Sequence, residues 1–182
     1  FLLHIFKLIF PEFKYIDRLK NLSNFKNINN IELDENFILS TMLIDLSDNH
    51  EYFSHKYNIS NETKNCINLY SKLFANIASN KNFFTKDLNK NIFYFGKRKI
   101  KLILLIFSMT KEKVSLPKIK KTFKKIDSVS IPKFPITGDY LIKKGFKSGK
   151  KVGELLKKIE EQWIDNNFEL DDGKLNDFLK KN

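Results

Sequence analysis

Residues 60–77 read Ser60-Asn61-Glu62-Thr63-Lys64-Asn65-Cys66-Ile67-Asn68-Leu69-Tyr70-Ser71-Lys72-Leu73-Phe74-Ala75-Asn76-Ile77, and this stretch sets the fold class. Ser60 is suited to cap a helix start, and Cys66, Leu69, Leu73 and Ile77 then recur at helical spacing down one side. The same period appears on both flanks. Upstream, Pro11 can begin a helix whose face is Phe13, Ile16, Leu19 and Leu22. After a polar segment from Asn27 to Asn36, Leu39, Met42, Leu43 and Leu46 form another stripe. Downstream, Ile100, Ile103, Leu104 and Phe107 give a fourth, and Ile119, Phe123 and Ile126 a fifth. No sustained period-two alternation occurs, so the expected fold class is all-α, a multi-helix body followed by a small C-terminal helix-hairpin tail.

The chain has 182 residues, 42% of them hydrophobic, enough to bury a core in one domain or two small ones. Only four Pro and six Gly punctuate it, and five of the six Gly follow residue 137. Turn chemistry changes at Ile131-Pro132-Lys133-Phe134-Pro135, where two prolines favour an extended connector. This divides the chain into a helical body over 1–130, read as truncated at its start, and a tail over 131–182. In the tail Thr137 caps a short helix running through Lys144, and a turn spans Gly145 to Gly149. A long helix then reaches Ile164 with Val152, Leu155, Leu156, Ile159 and Trp163 on one face and a Glu154–Lys158 pair on its surface. A last helix is expected from Asp171 to Leu179. The first residue is Phe1, and the amphipathic opening FLLHIFKLIF suggests a processed product or the later part of a longer chain.

Several function classes drop out. A single cysteine, Cys66, forms no intrachain disulfide and no cysteine zinc site, which fits a reducing compartment. The longest uncharged apolar run, Leu102 to Thr110, is far short of the roughly 20 residues of a membrane span. His50 and His55 lie about 140° apart around a helix and do not face one metal as an i,i+4 pair would. Asp45 and Asp48 have no neighbouring His or third carboxylate and read as a solvated acidic edge. There is no phosphate loop, no GxSxG and no DxD pair for holding two metal ions, so no catalytic residue and no metal site is assigned, and catalysis is not expected of this chain alone.

The formal charge is +12, and it is unevenly placed. Residues 1–95 carry a net +1, residues 96–151 a net +14, and residues 152–182 a net −3. The basic residues are 31 Lys to 2 Arg, a bias typical of an AT-rich genome, but such drift spreads lysine evenly. A clustered +14 points to a polyanion, either nucleic acid or an anionic surface. Its densest part is Lys143-Lys144-Gly145-Phe146-Lys147-Ser148-Gly149-Lys150-Lys151-Val152-Gly153. A Gly-containing turn between helices exposes the N–H groups at the start of the second helix, where they and the helix dipole attract phosphate. Gly149 allows close backbone approach, Gly153 lets the helix pack tightly, and Lys143, Lys144, Lys147, Lys150 and Lys151 surround the point. A plain helix hairpin with solvated lysines would read the same way. A second patch is made by Lys97, Arg98, Lys99 and Lys101 with Lys118, Lys120, Lys121, Lys124 and Lys125, beside Tyr94 and Phe95, which can stack on bases or sit in the core.

The tail also resembles a known family. Phe134-Pro135-Ile136-Thr137-Gly138-Asp139-Tyr140-Leu141-Ile142, then Gly145, Ser148-Gly149, Gly153, Leu155-Leu156, Trp163-Ile164 and Asn167-Phe168, is similar to the C-terminal end of bacterial CCA-adding tRNA nucleotidyltransferases and poly(A) polymerases. The alphaproteobacterial form is the most similar. Phe10-Pro11-Glu12, Asp17-Arg18-Leu19, the Leu39–Leu46 helix and Tyr57-Asn58-Ile59-Ser60-Asn61-Glu62 resemble earlier parts of the family's body. The resemblance implies a cytoplasmic tRNA-binding part whose catalytic head, with its Mg²⁺, CTP and ATP, lies outside this chain, which itself binds no cofactor. It implies tRNA and that head as partners, no membrane, and a grip on backbone phosphates without base readout. Two positions depart from the family pattern. Ser148 stands where a proline is usual and can cap the following helix, and Tyr140 stands where an Asp usually completes a capping box. A poly(A) polymerase, a helix-hairpin-helix nucleic-acid module without catalysis, and a peripheral membrane protein with basic helices on anionic lipid remain the rival readings.

Overall fold

A computed structural model of the chain describes residues 2–25, 31–111, 114–171, 173, 175, 176 and 179. The chain divides into two units, Phe1–Ser128 and Val129–Asn182. All the regular elements among the described residues are helical.

The first unit contains α1 (Leu2–Ile9), a 3₁₀ helix (Ile16–Phe25), α2 (Glu35–Leu43), α3 (Asn49–Lys56), α4 (Asn61–Ser79), α5 (Leu88–Ser108) and α6 (Leu116–Ser128). Helix α2 packs on the 3₁₀ helix, α3, α4 and α5, and α5 lies between α4 and α6. Its core joins Phe37 and Leu43 of α2, Ile67 and Leu73 of α4, Ile100 and Leu102 to Ile106 of α5, and Ile119, Phe123 and Ile126 of α6. Each such side chain contributes about 1.5–3 kcal/mol through burial.

The stripe beginning at Phe13 is a 3₁₀ helix from Ile16, with Pro11 in the turn before it. A strict spacing of three is the 3₁₀ repeat itself, whereas in an α-helix it would drift around the cylinder. Helix α2 starts earlier and ends earlier than its apolar pattern suggests. Asp34 caps it by accepting a hydrogen bond from the Phe37 N–H at 2.8 Å, Asn36 is already helical, and Leu46 lies beyond the end, 71% exposed. Asn27 to Asn30 of the polar segment lie outside the described residues.

Ser60 caps α4 as expected, its Oγ accepting from the Thr63 N–H at 3.2 Å. The buried side of α4 is rotated toward Ile67, Tyr70, Leu73, Phe74 and Ile77, leaving Cys66 and Leu69 half-buried. The larger aromatic rings win the core positions because they bury the most apolar area. Between α2 and α3, Asp45 accepts from the Tyr15 hydroxyl at 3.0 Å and from the Ser47 N–H at 2.7 Å, so it belongs to the packing and is more than a solvated edge.

In the second unit an extended connector leads to α7 (Gly138–Lys143) and α8 (Lys150–Asp165). Leu141, Val152, Leu155, Ile159 and Leu175 form its core, and Phe134 packs on Trp163 with ring centroids 5.2 Å apart. Of the expected last helix, Gly173, Leu175, Asn176 and Leu179 are helical, and the other positions between Asp172 and Phe178 lie outside the described residues. Glu154 pairs with Lys150 at 3.8 Å, one turn before it on α8, in place of the expected Lys158.

Candidate nucleic-acid interface

The hairpin of the second unit is built from its ends inward. Thr137 caps α7, its Oγ1 accepting from the Tyr140 N–H at 3.3 Å, so the helix starts without an acid at position 140. Tyr140 instead packs on the apolar cluster. At the other end Gly145 adopts φ +97°, its N–H donates to the Ile142 carbonyl at 2.9 Å, and the Phe146 N–H donates to the Leu141 carbonyl at 3.2 Å. This is a Schellman stop, completed by Phe146 against the Leu141 cluster. The chain then turns through Ser148 to Gly149.

The residue that starts α8 is Gly149, at φ +128°, and Ser148 does not cap it. The Gly149 carbonyl accepts the first bonds of the helix, from the Val152 N–H at 3.1 Å and the Gly153 N–H at 3.4 Å. A glycine brings no side-chain oxygen, so the first-turn N–H groups at Lys150 and Lys151 keep their capacity to donate to a bound anion. Gly153 has a different role from the one its spacing suggests. A Cβ there would meet nothing within 4 Å, whereas one at Gly138 would touch Val152 and Leu156 at 3.9 Å. Of these two glycines it is Gly138 that faces the neighbouring helix, at ordinary van der Waals distance.

Lys143, Lys144, Lys147, Lys150 and Lys151 are all exposed, as are Ser148 and Gly149. Leu141, Val152 and Leu155 turn inward on the same two helices, and at helical spacing that forces the lysines outward. Among the described residues these lysines make one acidic contact, the Lys150–Glu154 pair, with side chains 92% and 61% exposed, an interaction worth well under about 1 kcal/mol in water. Lys144 also lies 5.8 Å from the centre of the Tyr140 ring.

The patch on the first unit is split. Gly96 breaks the regular backbone of α5 at φ +77°, so Lys97, Arg98 and Lys99 stand in the first turn of its second segment. Three of this group of four are then tied inside the unit. Lys97 donates to the Asp127 carbonyl at 2.8 Å, Lys101 pairs with the Asp127 carboxylate at 2.5 Å, and Arg98 pairs with Asp34 at 2.8 Å. The hydrogen bond that Arg98 donates to Asp34, with that carboxylate's charge, raises the guanidinium above its ordinary value. Lys125 donates to the Phe84 carbonyl at 3.2 Å. Lys99, Lys118, Lys120, Lys121 and Lys124 are exposed, the last four along the outer face of α6 behind Ile119, Phe123 and Ile126. Tyr94 is half exposed and Phe95 partly buried. Lys81 and Lys111, which carry no signal in the local sequence, join Lys118 at a cleft between the ends of α4, α5 and α6.

A family model described as "tRNA nucleotidyltransferase domain 2 putative" matches residues 32–179, four fifths of the chain and both units. The chain belongs to this tRNA nucleotidyltransferase family. The human CCA tRNA nucleotidyltransferase 1, mitochondrial, is 36% identical over 58 residues, which are 32% of this chain and 13% of that protein. The mouse protein of the same name is 34% identical over 58 residues, with the same shares. The match thus spans about an eighth of those relatives. No solved structure matches the chain. Among the described residues no three His, Cys, Asp or Glu come together to hold a metal, and no helix is long and apolar enough to cross a membrane.

Proposed function

We propose that this part of the nucleotidyltransferase holds tRNA, so that the 3′ end reaches a catalytic head elsewhere in a longer protein of the CCA-adding class. The observation that carries the reading is the uncapped start of α8 at Gly149 among five exposed lysines, in a chain of this family. Such a surface takes the phosphate backbone by charge and shape and leaves sequence unread. The exposed lysines of α6 supply a second hold. Mg²⁺, CTP and ATP then belong to the head. On this reading the work is done in the cytoplasm, and poly(A) addition in the same family is the alternative for the head.

The test is the salt dependence of tRNA binding by the chain with Lys147, Lys150 and Lys151 changed together to Ala. Each lost phosphate contact lowers the slope of log K against log salt by about 0.7 to 0.9. An unchanged slope would sink the hairpin as a phosphate site. Duplex DNA competing as well as tRNA would turn the reading toward a general helix-hairpin-helix module.

A further inference from the structure

A cleft of about 410 Å³ opens in the first unit where the C-terminal ends of α4 and α5 meet the start of α6. That volume is in the range of small-molecule sites. Its walls carry two aromatic rings, Phe84 and Phe107, both partly buried and held from behind. The edge-on ring of Phe83 lies 4.8 Å from Phe84, and Phe74 lies 5.6 Å from Phe107 in the same manner. Lys125 donates to the Phe84 carbonyl and fixes that turn.

Three lysines, Lys81, Lys111 and Lys118, stand at the rim, each exposed, and no carboxylate is among the described lining residues. Lys111 Nζ lies 5.4 Å from the centre of the Phe107 ring. The contrast with the neighbouring α5–α6 seam is informative, because there Asp127 neutralises its lysine. Three like charges around one mouth repel, and an anion among them removes that repulsion. Rings inside and cations outside match a ligand with a flat apolar part and an anionic part.

We infer that this cleft binds a nucleoside 5′-phosphate, its base against Phe84 and Phe107 and its phosphate at Lys81, Lys111 and Lys118. The ligand is either an unpaired residue of the bound RNA or a free nucleotide. The inference rests on the RNA-holding reading above and adds to it a place where one base leaves the stack.

The experiment measures binding of AMP, of inorganic phosphate, of a single-stranded oligoadenylate and of tRNA to the chain and to three variants. Phe84→Leu and Phe107→Leu keep apolar bulk and remove a ring, and Lys111→Gln with Lys118→Gln alters only the exposed rim. Circular dichroism melts confirm that each variant is folded, and the rim variant keeps the test alive if a ring variant is not. Loss of one stacking ring weakens a bound base by about tenfold, and the rim variant weakens the same ligand and flattens its salt dependence. If the ring and rim variants weaken AMP, the source is a free nucleotide. If they weaken only oligoadenylate or tRNA, it is an RNA residue. The inference is overturned if the ring variants leave AMP, oligoadenylate and tRNA within about twofold of the parent. It is overturned equally if phosphate competes as well as AMP, which would mark a plain anion patch. A hairpin variant that loses slope beside silent cleft variants sinks the cleft and leaves the tRNA grip standing. Cleft variants that change AMP binding in a chain that does not bind tRNA do the reverse.

Discussion

Lys101 Nζ lies 2.5 Å from the Asp127 carboxylate, and the same residue's carbonyl takes a hydrogen bond from Lys97, so one residue at the end of α6 occupies two lysines of α5. The Lys101 side chain is only 11% exposed. These two residues bind the helices together, while the lysines on the outer face of α6 stay exposed.

Lys101→Ala is therefore expected to leave the salt slope of tRNA binding unchanged and to lower stability by about 1 kcal/mol. Lys121→Ala with Lys124→Ala should do the opposite. Their slope falls by about 0.7 to 0.9 for each phosphate contact, with the melting temperature barely moved. Equal slopes for the two variants would show that the division between paired and free lysines is wrong.

Gly149 and Gly153 should respond to alanine in opposite directions. At φ +128° Gly149 is in a region that costs an L side chain about 1 kcal/mol or more, so Gly149→Ala destabilises the second unit and weakens tRNA binding. Gly153 is helical with open space at its Cβ, so Gly153→Ala should stabilise α8 by about 0.5–1 kcal/mol. Thermal melts of the two variants decide, and a destabilised Gly153→Ala would contradict the open space seen there.

Glu12 gives the first unit an acid limb. Burial pushes its carboxyl up, but hydrogen bonds from Lys56 at 2.7 Å, from backbone N–H and from the Tyr57 hydroxyl at 3.1 Å outweigh that, and the net value is below the ordinary 4.5. A carboxyl lowered by folding adds stability that is complete above its unfolded value and disappears as pH falls through the folded one. The melting temperature should fall through the carboxylate range, and Glu12→Gln should start lower and fall less. Asp17, held at about 2 by hydrogen bonds from Lys20 and then Lys7, is half exposed, so added salt should reduce its share more than that of Glu12. An acid limb in Glu12→Gln as steep as in the parent would remove Glu12 from this role.

Trp163 is the sole tryptophan and is 2% exposed between Phe134 and Phe168, so its fluorescence reports on the second unit. Ile159→Ala, at a position 1% exposed in the same core, should cost about 2–5 kcal/mol and shift the fluorescence midpoint accordingly. A shift below about 0.5 kcal/mol would mean that α8 is not packed as described.

The helices with strong 3.6-residue periods, α4, α6 and α8, were legible in the sequence, as were the caps at Ser60 and Thr137, because these depend on residues three or four apart in the chain. The strict spacing of three from Phe13 to Leu22 carries the 3₁₀ repeat, though it reads at first as one helical face; the early end of α2 was not legible, because Leu46 continues the apolar stripe past Ile44, where the backbone turns extended. The hairpin lysines were readable for a related reason, since Leu141, Val152 and Leu155 point them outward from within the same two helices.

What the sequence determined by itself was the all-α class and the concentration of positive charge in residues 96–151. Only the tertiary structure decided which cations are available. Lys97, Arg98 and Lys101 look identical in composition to Lys118 and Lys121, yet they differ in having Asp127 or Asp34 within hydrogen-bond reach, 26 to 64 residues away along the chain. The cleft of Phe84, Phe107, Lys81, Lys111 and Lys118 likewise exists only once three helix ends meet. Coulomb attraction and stacking depend on distance in space, and spacing along the chain reports that distance only within a helix turn or two.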